Sequence, residues 1–267
     1  MKSINKYSLI ILLCTTIIFS CDDAKKASRL NVICLIDYSG SLREEVLTNY
    51  AKIISNDVYG NLKSKDKIVL LPIDEGAKIE AVKLFYDDLS THKEFSKHSD
   101  GLSHKQDSIK ARVLRYEKTK INTLNNLVID QKEIRKKYTN ETDIVSAIEQ
   151  ASLLLEKNTD ASKYNTTNVI IFFSDMLHES DKFNLRKIST TDKKVFDNIV
   201  VRLQSENHIP NLKNCIIYVN GRTGANNSVV ECTQYFWEQY FKQANANLKA
   251  YDFDCSNNII QYLQQRQ

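Results

Sequence analysis

Two apolar runs, each closed by a carboxylate, limit what this chain can fold into more than any other feature. Residues 31–37 read N-V-I-C-L-I-D and residues 168–175 read N-V-I-I-F-F-S-D. Neither run alternates apolar with polar positions. Each therefore predicts a strand buried on both faces, as central strands are in a parallel sheet covered by helices. Residues 67–73 form another apolar run, 79–86 alternate loosely as a half-exposed edge strand would, and 214–220 and 248–254 complete a set of six strands. Between them, residues 41–59, 143–157, 193–206, 229–246 and 257–265 space their apolar side chains at helical intervals. Strand–helix alternation of this kind predicts an α/β fold. We expect a doubly wound, mostly parallel six-stranded sheet with one antiparallel edge strand and helices on both faces. Ligands of such sheets bind beyond the carboxyl ends of the strands, where the strand order reverses.

Residues 90–138 do not fit that alternation. They are charged, with sparse apolar residues at helical spacing, too few for a core of their own. They are read as a helical insert. A single helix over 103–137 would be about 50 Å long at 1.5 Å per residue, so a break is expected within it.

The first residues carry a different signal. Lys2 and Lys6 precede an almost wholly apolar or small stretch over residues 7–20, which ends I-F-S-C at Cys21. A charged start and an apolar core too short to span a bilayer read as a secretory signal peptide. The Cys-terminated end resembles the lipobox of bacterial lipoproteins, with Phe19 where a smaller residue is usual. That resemblance implies a signal peptide over 1–20, lipid on Cys21, and a polar tether over 21–29 that holds the domain at residues 30–267 on the bacterial cell envelope. A lipidated Cys with more than one acyl chain anchors stably. Without Lys2 and Lys6 the basic residues number 35 against 33 acidic ones. This balance argues against a nucleic-acid partner, which would call for a basic stripe.

Directly after the first central strand stands D-Y-S-G-S, Asp37 to Ser41. One carboxylate and two hydroxyls at alternate positions can converge on a hard cation as the chain turns from strand to helix, and Gly40 permits a tight turn. A purely local reading is also open: Ser41 and Glu44 have capping-box spacing, and Asp37 could simply receive helix N-terminal amides.

D-x-S-x-S at the end of a first buried strand resembles the metal-ion-dependent adhesion site of von Willebrand factor A domains, such as the inserted domains of integrins. The family also places a Thr in a loop before a later helix, and an Asp at the end of the following apolar strand. Thr142 and Asp175 stand in that order here. The resemblance covers residues 30 to the C-terminus. It implies that Ser39, Ser41 and Thr142 bind a divalent cation directly or nearly so, with Asp37 and Asp175 acting largely through water. The cation expected is Mg first, with Mn and Ca as further choices. A carboxylate from a partner protein would complete the coordination sphere. Two departures bear on loop shape: the Thr loop is T-N-E-T-D where glycine is usual, and Met176 follows the second Asp where glycine is usual. Thr139 is the weaker candidate for the Thr role. Glu141, Asp143, Glu179 and Asp181 flank these loops, as added metal donors or as solvated charges.

No G-x-S-x-G, H-E-x-x-H or P-loop motif is present. His178, three residues after Asp175, is the one histidine near the predicted site; His92, His98 and His104 lie in or near the insert. The function expected is therefore a non-enzymatic, metal-dependent protein-binding module, with a metal-assisted hydrolase and a metal-free scaffold as alternatives. The aromatic run Tyr235, Phe236, Trp237, Tyr240 and Phe241 is expected to be core. Of the cysteines beyond Cys21, Cys232 opens that helix and Cys255 closes the strand after it, so both reach the same sheet edge and are expected to form a disulfide. Cys34 and Cys215 are expected to be buried thiols.

Overall fold

In the computed structural model, which describes residues 27–78, 82–92, 103–157, 164–188, 190–221 and 227–265 (backbone alone for 103–117 and 227), the apolar runs are the centre of one sheet. Its strands are β1 (Ala27–Asp37), β2 (Lys67–Ile73), β3 (Phe85–Asp88), β4 (Tyr164–Phe173), β5 (Cys215–Asn220) and β6 (Asn247–Asp252). Their spatial order is β3-β2-β1-β4-β5-β6. All pairings are parallel except β2 with β3, where Lys67 faces Asp88 and Leu70 faces Phe85. The six-stranded, mostly parallel sheet with one antiparallel edge is as expected. The edge strand starts later than the alternation suggested, and residues 79–81 lie outside the described ones.

Helices cover both faces, which is why the carboxyl-terminal halves of β1 and β4 read as unbroken apolar runs. On one face, Val32, Cys34, Ile36, Ile171 and Phe173 meet α1 (Glu44–Lys52), its π-helical continuation Ile53–Val58, α2 (Ser103–Ile134) and α6 (Ser256–Gln264). On the other, Ile33, Leu35, Ile170 and Phe172 meet α3 (Ile144–Lys157), α4 (Lys193–Ser205) and α5 (Asn227–Gln243). Phe236, Trp237, Tyr240 and Phe241 are fully buried there as expected, whereas Tyr235 is only partly buried and its hydroxyl donates to Asp197 Oδ1 at 2.8 Å. No helix among the described residues is long and apolar enough to cross a membrane.

Among its described residues the insert is helical, but α2 runs unbroken for 32 residues where a break was expected. It contains no Pro or Gly to bend it. Its C-terminal half is seated on the core: Leu124 and Val128 are fully buried, and Tyr38 Oη donates to Val128 O at 3.0 Å. The expected Cys232–Cys255 disulfide is absent; both are free thiols. Both do arrive near the carboxyl edge, but Cys232 packs with the α5 face whereas Cys255 is buried on the α1 face. The sheet stands between them. Cys34 and Cys215 are buried thiols, as expected. The expected signal peptide, Cys21 and most of the expected tether lie outside the described residues.

Candidate metal centre

The strand order reverses between β1 and β4: from β1 the chain proceeds to β2 on one side, and from β4 to β5 on the other. Asp37 ends β1, and Ser174 and Asp175 follow β4, so the two carboxylates emerge side by side at the crevice. Asp37 is buried. Its Oδ1 accepts from Ser39 N–H at 2.8 Å and its Oδ2 from the Ser174 hydroxyl at 3.0 Å. The Ser39 and Ser41 hydroxyls lie 3.2 Å apart. The N-cap of α1 is Arg43, with no side-chain cap. Ser41 is therefore not spent on a capping box, and its hydroxyl faces the site.

Asp175 Oδ1 accepts from Leu177 N–H at 2.9 Å. Burial, then the charge of Asp175, push the Asp37 carboxyl up to about 6. Burial also raises Asp175, offset in part by Leu177 N–H and Arg186. Two crowded carboxylates and a set of hydroxyls are the hard oxygen donors that Mg, Mn and Ca prefer, and the crowding is what a cation would relieve. The residues present fit a divalent metal.

Met176 explains one departure from the family pattern. Its φ is +61°, the left-handed region in which glycine is unstrained. Methionine there costs about 1–2 kcal/mol, which its anchoring offsets. The side chain is fully buried, Trp237 Nε1 donates to Met176 O at 2.8 Å, and Ser174 Oγ accepts Met176 N–H at 3.0 Å. Ser174 thus ties this turn to Asp37; nothing in the sequence set it apart from any other buried serine. Close by, Gly221 (φ +135°) lets β5 pass the site: an added Cβ would lie 2.1 Å from Tyr50 Oη and 2.8 Å from Ser174 O.

The Thr loop joins the site by backbone contacts. Thr142 is buried and exchanges two backbone hydrogen bonds with Glu179 (2.9 and 3.1 Å), holding its loop against the one after Asp175. Thr139, the weaker candidate from the sequence, lies directly on the D-x-S-x-S turn. Gly40 N–H donates to Thr139 O at 3.4 Å, and a Cβ on Gly40 would stand 3.8 Å from Thr139 Oγ1. Glu141, Asp143 and Asp181 cluster within 4.8 Å. Lysines already serve them: Lys78 Nζ is 2.5 Å from Glu141 and 2.9 Å from Asp181, and Lys182 Nζ is 3.3 Å from Asp143.

His178 is fully buried, stacked on Phe183 with ring centroids 4.0 Å apart. Its Nδ1 accepts from Ile144 N–H at 3.1 Å, so the neutral ring carries its proton on Nε2, 2.8 Å from Ser180 Oγ. Burial is the main cause that lowers its pKa to about 3. A histidine lowered from 6.5 contributes stability that is complete above pH 6.5 and is lost as pH falls toward 3. At pH 5 that loss is about 2 kcal/mol. Urea unfolding with chelator should therefore show His178→Gln gaining about 2 kcal/mol on the natural protein between pH 7 and pH 5. Equal changes in both would show that the ring titrates freely.

The sequence reading missed Arg186. It lies in the 3-10 turn Leu185–Lys187, capped by Asn184 Oδ1, which accepts from Arg186 N–H at 2.9 Å. Its Nη2 is 3.2 Å from Ser41 Oγ and 3.4 Å from Asp175 Oδ2, and its Nε is 3.5 Å from Glu179 Oε2. Only the folded loop brings it to two of the predicted donors.

The architecture is the one that the resemblance to von Willebrand A domains implies. A doubly wound sheet with one antiparallel edge places D-x-S-x-S and the second Asp on its two central strands, at the point of reversal. No protein-family model and no curated protein sequence matches the chain. Among solved structures it is similar to the manganese-loaded TRAP protein of Plasmodium vivax, at 12% identity and TM-score 0.40 over 90% of this chain and 74% of that one. It is also similar to the pilus adhesin SpaC of Lactobacillus rhamnosus GG, at 9% identity and TM-score 0.41 over 91% of this chain and 30% of that one. Proximal thread matrix protein 1 of the mussel byssus follows, at 8% identity and TM-score 0.38 over 90% of this chain and 48% of that one. This chain thus spans less than half the length of the last two. Superpositions at these TM-scores transfer neither residues nor ligands.

Proposed function

We propose that this chain is a metal-dependent protein-binding module, not an enzyme, held on the bacterial cell envelope through lipid on Cys21. The observation that carries the reading is the convergence of Asp37, Ser39, Ser41 and Asp175 at the sheet's point of reversal. Ser39, Ser41 and a Thr-loop hydroxyl would hold the cation, with Asp37 and Asp175 compensating its charge. The bound cation, Mg before Mn or Ca, would supply a Lewis-acidic seat for a carboxylate of the partner protein. The burial of His178, with both ring nitrogens engaged, favours binding over hydrolysis, because the nearest imidazole is withdrawn from a base's role. One observation favours the metal-free scaffold as second reading: Arg186 already brings a positive charge to Ser41 and Asp175.

The test is affinity capture of envelope proteins by the full chain with and without chelator. We expect a partner that is retained in Mg, released by chelator, and not captured by the Asp37→Asn chain. Capture that survives both chelator and the substitution would sink the metal-dependent reading.

A further inference from the structure

The positively charged end of Arg186 stands where a cation bound by Ser41 and Asp175 would have to approach. Three features show that it is aimed there. Its backbone is held in a capped turn: Asn184 Oδ1 accepts Arg186 N–H, and Leu185 N–H donates to His178 O at 2.9 Å while the Leu185 side chain is buried. The His178 carbonyl that receives this bond belongs to the loop that begins at Asp175. The side chain is exposed, yet contacts hold both ends of its guanidinium. Nη2 reaches Ser41 Oγ (3.2 Å) and Asp175 Oδ2 (3.4 Å), while Nε stays on Glu179 Oε2 (3.5 Å).

We propose that Arg186 is a built-in competitor for the metal site, an intramolecular cation that a divalent metal must displace before it can engage Ser41 and the Asp37–Asp175 pair. The inference rests on the metal site of the preceding section. A guanidinium N–H pointed at the Ser41 oxygen uses the lone pair a metal would need, and two cations within a few ångströms repel in a partly buried site. Displacement has a ready end state. Glu179 already holds Nε, and its other carboxylate oxygen is fixed by Asn184 Nδ2 at 2.9 Å, so the guanidinium can swing off Ser41 without losing its acidic partner. In the metal-free site Arg186 therefore offsets part of the charge of Asp175. Metal binding frees Arg186 at the rim, next to where a partner's carboxylate would arrive. Binding of metal and exposure of Arg186 become one linked event, and the cost of moving the arginine is subtracted from metal affinity.

The experiment is calorimetric titration of Mn into the full chain, its Arg186→Ala and Arg186→Gln variants, and Asp37→Asn. The two arginine variants are used together so that a folding defect in one, seen by circular dichroism, leaves the other to decide. If Arg186 competes, both should bind Mn on the order of 10-fold more tightly than the natural chain, within the range typical of intramolecular coupling. Unchanged or weaker Mn binding in the folded arginine variants would overturn the competitor. If Asp37→Asn still loses Mn in that case, the metal site itself stands. Absence of Mn binding in all four proteins would overturn both.

Discussion

Asp37→Asn is expected to weaken binding of Mg, Mn and Ca by on the order of 100-fold, the size usual when a carboxylate supporting a metal's direct ligands is lost. The metal-free protein should stay folded and gain stability. Burial and Asp175 raise the Asp37 carboxyl to about 6, so holding it ionised at pH 7 costs the metal-free fold about 3 kcal/mol. Asparagine removes that cost and keeps an oxygen for Ser39 N–H, though it returns less to the Ser174 hydroxyl. A net gain of about 1–2 kcal/mol at pH 7 follows. Asp37→Ala lacks the acceptor and strands a buried N–H, at about 1–3 kcal/mol, so its metal-free stability should stay near that of the natural chain. The sign with pH is definite. A raised carboxyl contributes stability that is complete below pH 3.8 and is lost as pH rises through 6, so the advantage of asparagine should vanish by about pH 4. This slope runs against that of His178, so the natural chain will show the two nearly cancelled between pH 4 and 6.5, and only the variants separate them. Equilibrium dialysis with each metal, and urea melts with chelator at pH 4 and 7, check both halves. Undiminished metal affinity in a folded Asp37→Asn protein would remove Asp37 from the site.

The largest loss of stability should come from breaking a buried ion pair. Asp74 follows β2 and is fully buried; Arg135 follows α2 and is 4% exposed. Their forked contact joins Arg135 Nε to one carboxylate oxygen and Nη2 to the other at 2.8 Å. Gly76 N–H also donates to Asp74 Oδ1 at 2.8 Å, and the guanidinium lies 5.1 Å from the Tyr138 ring centroid. A Cβ on Gly76 would sit 2.7 Å from Arg135 Nη2, so glycine is what lets the backbone come so close. Arg135→Ala leaves a buried carboxylate without its counter-charge and should cost about 3–5 kcal/mol, a fall in Tm on the order of 10 °C. The double replacement Asp74→Leu with Arg135→Met should recover most of it, because neither charge then needs compensation. Thermal unfolding of the single and double variants tests this, and additive losses would deny the coupling. The pair clamps the end of the insert to β2 and sets the course of the chain from Tyr138 to the Thr loop. Arg135→Ala should therefore loosen the site as well as the fold.

Much of this architecture was legible in the sequence because it depends on burial, and burial leaves a pattern. A strand covered on both faces must be apolar throughout, so residues 31–37 and 168–173 announced the centre of the sheet, and their terminal carboxylates announced its functional edge. D-x-S-x-S was legible for a different reason: neighbouring residues in one turn are close in any fold. What the sequence could not determine is which side chains meet across the fold. Arg186 reaches Ser41 across 145 positions, and Ser174 reaches Asp37 across 137, in contacts that arise only when separate loops are stacked at one edge. Cys232 and Cys255 failed as a pair because order along the chain gives the edge a residue reaches, not the face. Lysines answered the acidic cluster for a similar reason: the distance from Lys78 to Asp181 is set by tertiary packing, and no local spacing encodes it.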